Sequence, residues 1–390
     1  MIAVSVILAN LRDRPATFAL QAFLLAIGVA MATALLLFSA QSETRLARDA
    51  RGVDLVIGAK GSPLQLVMSA VFQADAPTGN LPFETAMRLA TDQRVAIAAP
   101  IGLGDAFGAH RIVGADERYL SLAGARVGAG RLHRAPMEAV LGAAAARATG
   151  LRIGDRFQGG HGLTGGGDIH ADEYTVTGIL TPTGAVIDRV IVTPLESLWS
   201  THGAAAEAAK ETTAVLVRTR TPFAAMSLQR EINADTALVA ARPAEEMARL
   251  HVLVATGADV MQAFAVVMIM AAALSVFVTL LSALRDRRGE IALLRAMGAT
   301  RSSVFTVLLG QGALTAFFGT LTGLLAGHVL LEALSHASVQ ARGFGLTGWA
   351  FDPRELWIAG AGVGAGVLAA LGPAVTAYRT DISVTLAEAP

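Results

Sequence analysis

No cysteine occurs among the 390 residues. This excludes disulfides, iron–sulfur clusters, thiolate metal sites and a cysteine nucleophile, and it fits an oxidising compartment managed by avoiding thiols. Charge is sparse at 16% and balanced, with 31 basic and 31 acidic residues, so a nucleic-acid partner is not indicated. The phosphate-cradling pattern GxxxxGK[ST] is absent. Its nearest imitation, Gly58-Ala59-Lys60-Gly61-Ser62, has Ala before the lysine and Gly after it. Neither HExxH nor GxSxG occurs. We therefore nominate no catalytic residues and no cofactor bound by the chain itself.

What is abundant is apolarity. Hydrophobic residues make up 53% and the mean hydropathy is +0.53, too apolar for a soluble chain of this length. It is concentrated in blocks that meet the roughly 20 residues a bilayer core demands: Ala16 to Ala40, Val260 to Leu284, Ser302 to Leu331 and Leu356 to Tyr378. The first is too long for a secretory h-region, and Phe38-Ser39-Ala40 is a poor cleavage site, so it reads as an uncleaved helix. Arg12 and Arg14 precede the first block, five arginines lie between the second and third, and Arg379 follows the fourth. The positive-inside rule puts all three regions in the cytoplasm. His328, near the outer end of its span, is a thin basis for a proton path. Four spans without inverted repeats also lack the usual build of a secondary transporter.

The resulting division is an amphipathic N-terminal helix (1–15), spans at 16–40, 256–284, 302–331 and 356–378, an extracytoplasmic domain (41–255), a cytoplasmic helix (285–301), a short outer loop (332–355) and a cytoplasmic tail (379–390). The fold class is an α-helical membrane protein with four transmembrane helices and a large α+β extracytoplasmic domain. In that domain short β-rich runs are expected at Val53–Ile57, Val95–Ala99, Arg111–Val113, Ala139–Leu141, Tyr174–Leu180, Val186–Val192, Ala214–Val217 and Thr236–Ala240. Helices are expected at Pro63–Phe72, Phe83–Thr91, Ala143–Thr149 and Pro222–Asn233, without the regular alternation of a doubly wound sheet.

Gly159 to Asp168, reading GGHGLTGGGD, is a glycine-rich loop. His161, Asp168, His170, Asp172 and Glu173 cluster around it, so a divalent metal is one reading, with His161 and His170 the candidate ligands. The spacing matches no standard ligand motif, and a solvated loop is the other reading. Pro243 to Thr256 runs toward the second span with no breaker stronger than Gly257, which predicts either one continuous helix or a kink at that glycine.

Between the second and third spans, RDRRGEIALLRAMGATR is a basic helix by pattern: Ile291, Leu294 and Met297 recur every three residues with Leu293 beside them. Gly298 is its expected stop and Thr300 a cap for the next helix. Arg287, Arg288, Glu290 and Arg295 interrupt the apolar stripe, so it suits a protein groove as well as lipid headgroups. Gly319, Gly323 and Gly327 in the third span, and the Gly360, Gly362, Gly364, Gly366 row in the fourth, offer small faces for helix packing within the bundle or across a dimer. Gly360 and Gly364 are the fourth-span positions singled out.

GEIALLRAMGATRSSVF after a long apolar helix resembles the signature of FtsX-like, MacB-type permeases of ABC transporters. The layout of one helix, a large outer domain and three further helices is similar over nearly the whole chain. Gly130-Arg131, Ala139-Val140-Leu141-Gly142, Val176-Thr177-Gly178-Ile179-Leu180, Asp188 and Pro194 resemble the MacB-type periplasmic core, and Pro373-Ala374 to Arg379 with Leu386 resembles the family's C-terminal ending. Gly289 stands where Arg is common, and Ile382-Ser383 where Pro is usual. The resemblance implies an inner-membrane permease with cytoplasmic termini, working as a homodimer with a separate ATPase that carries ATP and Mg. It assigns ATPase coupling to Arg287, Arg288, Glu290, Ile291, Leu293, Leu294, Arg295, Met297 and Gly298. The substrate class it implies is a lipoprotein, lipid or peptide of the envelope. Membrane lipids and a periplasmic protein are further expected partners. The alternatives are a membrane-anchored sensor or scaffold recruiting a partner that is not an ATPase, and a metal-handling transporter component.

Overall fold

The apolar blocks form the four long helices of the computed structural model, which describes residues 12–163, 167–201, 210–234, 237–286, 289, 298, 300–337 and 345–379. These are α1 (Pro15–Asp49), α8 (Pro243–Asp286), α9 (Arg301–His336) and α10 (Glu355–Arg379), each long and apolar enough to cross a membrane. Even the shortest, at 25 residues, spans about 37 Å at about 1.5 Å per residue, more than the ~30 Å of a hydrocarbon core. Gly257 does not end α8, which is helical throughout its 44 residues. The chain divides into two units, one from Met1–Gln41, Ala255–Ala337 and Leu346–Pro390, the other from Ser42–Val254 and Ser338–Gly345.

In the first unit, lipid-like helices gain little from hydrophobic burial against one another, so close backbone approach has to supply the packing. Gly28 of α1 sits against α8, where an added Cβ would lie 2.9 Å from Ile269 Cγ1. Gly312 of α9 and Gly366 of α10 face each other's helices, with hypothetical Cβ distances of 2.4 Å to Ala370 Cβ and 2.3 Å to Ala316 Cβ. Val276, Leu280, Leu284, Leu308, Ala370, Ala374 and Ala377 form one apolar cluster of this bundle, and Leu25, Val29, Ala272 and Ala316 another.

The second unit is built on a ten-stranded mixed sheet. Its order is β12 (Leu238–Ala241), β1 (Leu55–Ala59), β11 (Ala214–Thr219), β3 (Val95–Phe107), β4 (His110–Gly114), β9 (Ile191–Thr193), β6 (Glu138–Leu141), β8 (Ile169–Leu180), β5 (Val127–Gly130). The tenth strand, β7 (Arg156–His161), pairs with both β3 and β8, while β2 (Leu81–Pro82) and β10 (Glu211–Thr212) pair with each other apart from this sheet. The pairings β3-β4-β9-β6-β8-β7-β3 therefore close into a six-stranded ring, which leaves those strands no free edge. β3 serves both halves: residues 95–101 pair with β11, while residues 102–107 pair with β4 and, at the end, with β7. This division explains Pro100, whose missing N–H falls where β3 pairs on one side alone.

Ile112, Ala139, Leu141, Phe157, Tyr174, Val176 and Ile191 from the ring strands form one core. Alternate residues Val113, Val140 and Val192 belong to a second core with Leu66 and Val67 of α2 (Pro63–Ala70) and Tyr119, Leu120 and Leu122 of α4 (Glu117–Ala123). A third lies between β1 and β11 and the helices α3 (Phe83–Ala90) and α7 (Pro222–Ala234). Several elements differ from the sequence reading. The expected loop at Gly159–Asp168 begins as strand, since Gly159, Gly160 and His161 end β7, and β5 and β7 are strands where none was expected. Val186–Val192 is not one strand: Val186–Arg189 is a 3-10 turn, because the Asp188 carboxylate accepts from Thr183 N, Thr183 Oγ1 and Gly184 N. The short helices α4 and α6 (Leu195–Thr201) arise where no element was expected.

The glycines of the outer-domain motif are close-approach positions. A Cβ on Gly142 would stand 2.3 Å from Ile187 O and 2.4 Å from Asp188 O, both backbone. On Gly178 it would stand 2.4 Å from Arg131 O. Arg131 in turn holds Glu138 in a forked ion pair, Nη1 to Oε2 at 2.7 Å and Nη2 to Oε1 at 2.5 Å.

Candidate functional site

The basic segment that carries the family signature lies between the end of α8 at Asp286 and the start of α9 at Arg301. Arg287, Arg288, Glu290, Ile291, Leu293, Leu294, Arg295 and Met297 are outside the described residues, as are residues 1–11 and 380–390. Gly289 is helical and exposed. Gly298 has φ +105°, a conformation that favours glycine and suits a helix stop. Thr300 caps α9, its side chain accepting from Ser303 N at 3.2 Å. Such a cap satisfies one of the orphan N–H groups and contributes about 1 kcal/mol.

The small faces divide by helical phase. Gly319, Gly323 and Gly327 lie along α1, where added Cβ atoms would meet Ala22 O at 2.9 Å, Val29 Cβ at 2.6 Å and Thr33 Cβ at 2.7 Å. Within the Gly360–Gly366 row of α10 the close-approach positions are Gly362, against Thr320 and Val29, and Gly366, against Ala316. At Gly360 and Gly364 an added Cβ meets nothing within 4 Å, which corrects the choice of those two within the chain. Residues two apart on a helix point to nearly opposite sides, so only one alternate pair can face α9. Small residues at every second position do not reveal which pair that is.

His328 anchors the loop before α10. Its ring nitrogens meet the Gly348 carbonyl and, at 2.9 Å, the Glu355 carboxylate. Glu355 also accepts from Asp352 N, and Glu332 accepts from Gly348 N at 2.7 Å. Gln41 grips the same loop from α1 by its side-chain amide, which accepts from Thr347 N and donates to Thr347 O. The imidazole is fully engaged in this turn.

In the second unit, His161 on β7 and His170 on β8 come together, their ring centroids 4.3 Å apart. The carboxylate that joins them is not a sequence neighbour but Asp105 of β3. Asp168, Asp172 and Glu173 are exposed, and Glu173 pairs with Arg156. Register is what recruits Asp105, since it stands directly opposite His161 in the β3–β7 ladder. The β3–β4 register shifts between Leu103 and Asp105. A bulge of this kind re-aims the side chain that follows; that side chain is Asp105, which is fully buried. Burial, with the Asp105 carboxylate nearby, pushes the Tyr174 phenol up to about 12.

This arrangement of spans and outer unit has counterparts among known proteins. The profile of the MacB-like periplasmic core domain matches residues 18–235, and that of the FtsX-like permease C-terminal region matches residues 263–382. The chain belongs to the MacB-type, FtsX-like permease family of ABC transporters. Its members are multi-pass, non-catalytic membrane subunits. Among solved structures, the periplasmic region of MacB from Actinobacillus actinomycetemcomitans is similar at 12% identity and TM-score 0.36, covering 52% of this chain and 95% of that one. The extracellular domain of the noncanonic ABC-type transporter YknZ from Gram-positive bacteria is similar at 13% identity and TM-score 0.32, covering 48% and 98%. A permease-protein domain from Porphyromonas gingivalis follows at 15% identity and TM-score 0.27, covering 47% and 78%. A comparison with curated protein sequences found no match.

Proposed function

We propose that this permease couples ATP hydrolysis by a separate ATPase subunit to motion of its outer unit. The observation that carries the reading is α8. One helix of 44 residues starts directly after the outer-unit strand β12 and ends at Asp286, where the basic signature segment begins. In this reading α8 carries a displacement of that segment to β12. The segment 287–298 is the docking element, with Ile291, Leu293, Leu294 and Met297 as the apolar anchors and the arginines as the electrostatic guide. The permease works as a homodimer in the inner membrane with both termini cytoplasmic, and ATP and Mg reside on the partner. Nucleotide can drive the change only if ATP-bound and ATP-free partners bind the two permease conformations with different affinity, and about 5.5 kcal/mol of difference inverts a 1:99 population.

The substrate is a lipoprotein, lipid or peptide of the envelope, handled by the outer unit, with or without a periplasmic protein partner. This reading is supported by family membership and by the absence of an ATP site or catalytic motif from the sequence. Leu294→Asp tests it. Placing a carboxylate among the docking anchors is expected to abolish copurification of the ATPase or its stimulated turnover while leaving membrane insertion intact. Normal copurification with normal stimulated turnover would sink the docking assignment. Recovery of a partner without ATPase activity from wild-type membranes would instead identify a sensor or scaffold.

A further inference from the structure

Asp105, His161 and His170 sit where the six-stranded ring closes, and that closure is slender. The β3–β7 seam has two ladder pairs, Asp105 with His161 and Ala106 with Gly160, and one further hydrogen bond, from Gly162 N to Gly104 O at 3.0 Å. The hairpin continues with Gly160 opposite Ile169, which puts His170 next along β8. Three strands thus each deliver one donor to one point. Asp105 is 0% exposed, His170 11% and His161 48% by side chain. Gly159, two residues before His161, is a close-approach position against the ring core: a Cβ there would lie 2.8 Å from Ile112 Cδ1 and 3.4 Å from Tyr174 Cε2.

Two of the donor separations match what a small tetrahedral ion imposes. His170 Nε2 is 3.1 Å and His161 Nδ1 is 3.4 Å from the same oxygen, Asp105 Oδ1, and the candidate donor atoms all lie within 4.8 Å of one another. A tetrahedral ion with ligands at about 2.0–2.1 Å sets neighbouring donor atoms about 3.3 Å apart. The His170 contact also serves as a hydrogen bond to that oxygen, at the long end of the usual range of about 2.7–3.2 Å. Two imidazoles and one carboxylate also form a donor set of borderline softness, which selects zinc-class ions over calcium or magnesium. We propose that Asp105, His161 and His170 bind one divalent transition-metal ion of the zinc class, which fastens β3 to the β7–β8 hairpin and closes the ring. Three protein donors leave a fourth tetrahedral position for water. The proposal is independent of the ATPase reading.

The test uses the full-length chain without a polyhistidine tag, purified in detergent, stripped with chelator and titrated with zinc chloride against a chromogenic chelator. Cobalt(II) serves as a second probe through its visible ligand-field absorption. The expected result is one equivalent per chain, bound tighter than micromolar, with a tetrahedral cobalt spectrum. Removing even an outer-shell partner costs roughly 10–100-fold in affinity, so His161→Ala and His170→Ala should each lose about 100-fold or more. His251→Ala, an exposed imidazole of the same unit, should bind as wild type. Because His161 is half exposed, its removal leaves the fold intact, and this variant alone decides should His170→Ala fail to fold. Absence of wild-type binding at micromolar metal, or wild-type affinity in His161→Ala, overturns the proposal.

Discussion

Gly323→Leu is the most quantitative probe of the bundle. A Cβ at position 323 would stand 2.6 Å from Val29 Cβ and 2.8 Å from Ala26 O. Carbon atoms pack best at about 3.5–4.0 Å, so the first added carbon alone falls about 1 Å short and three more follow it. Ala26 O is backbone, which means α1 must move as a body and give up its contact with Gly319 and Gly327 as well. Overpacking of this kind costs about 1–3 kcal/mol. Replacing glycine in a helix returns up to about 1 kcal/mol, and a control carrying that gain without the clash removes it from the comparison. Gly360→Leu is such a control, since nothing lies within 4 Å of its added Cβ. The difference between the two variants is therefore the clash, about 1–3 kcal/mol. At roughly 2–4 °C per kcal/mol for a body of this size, it corresponds to a melting difference of about 5 °C. Scanning fluorimetry in one detergent at a fixed heating rate reads it out. If the two variants melt within a degree of each other, the face of α9 carrying Gly323 does not pack on α1.

Three further outcomes follow from the outer unit and the cap. The hydrogen bonds from Arg131, aided by the N–H groups of Arg134 and Ala135, hold the Glu138 carboxyl at about 2 against an ordinary 4.5. Since the folded value lies below the unfolded one, the stabilisation is present above about pH 4.5 and is lost as pH falls through about 2. Glu138→Gln should flatten that part of the acid unfolding profile, and parallel wild-type and variant curves would contradict the assignment. Gly142→Ala should cost about 1–3 kcal/mol by driving a methyl onto the Ile187 and Asp188 carbonyls, seen as faster limited proteolysis of residues 42–254, whereas Gly257→Ala should be neutral or slightly stabilising. Thr300→Ala should lose about 1 kcal/mol of helix-start stability, measured as faster amide exchange at residues 301–304 and unchanged exchange deeper in α9.

The membrane half was legible because a bilayer imposes a length and a polarity that few other environments share: Ala16 to Ala40 could be little else. The strands around Val95, Ala139 and Ala214 are legible for a similar local reason, as short apolar runs rich in β-branched residues, although β3 continues through Pro100 to Phe107. What was not legible was non-local or balanced. Nothing near His161 points to Asp105, which the chain brings in from 56 positions upstream through ring closure and a bulge. The Gly360 to Gly366 row hides its phase because both alternate pairs are equally small. Helix α4 did leave a trace, with Asp116 as N-cap and Gly124 in the left-handed C-cap, but seven residues of mixed polarity give no periodicity to read. The Val186–Val192 run has the apolar content of a strand, but the Asp188 turn inside it is set by a side-chain hydrogen-bond pattern that apolar spacing does not encode.

The measurement that bears most directly on ATPase coupling is hydrogen exchange across residues 42–254 in the full-length permease assembled with its ATPase, comparing ATP with ADP. A nucleotide-dependent change in protection in that unit, including β12 where α8 begins, is the expected result, and it should vanish in the Leu294→Asp variant. Identical exchange in ATP and ADP, with the ATPase bound and turning over, would contradict mechanical coupling from the basic segment to the outer unit.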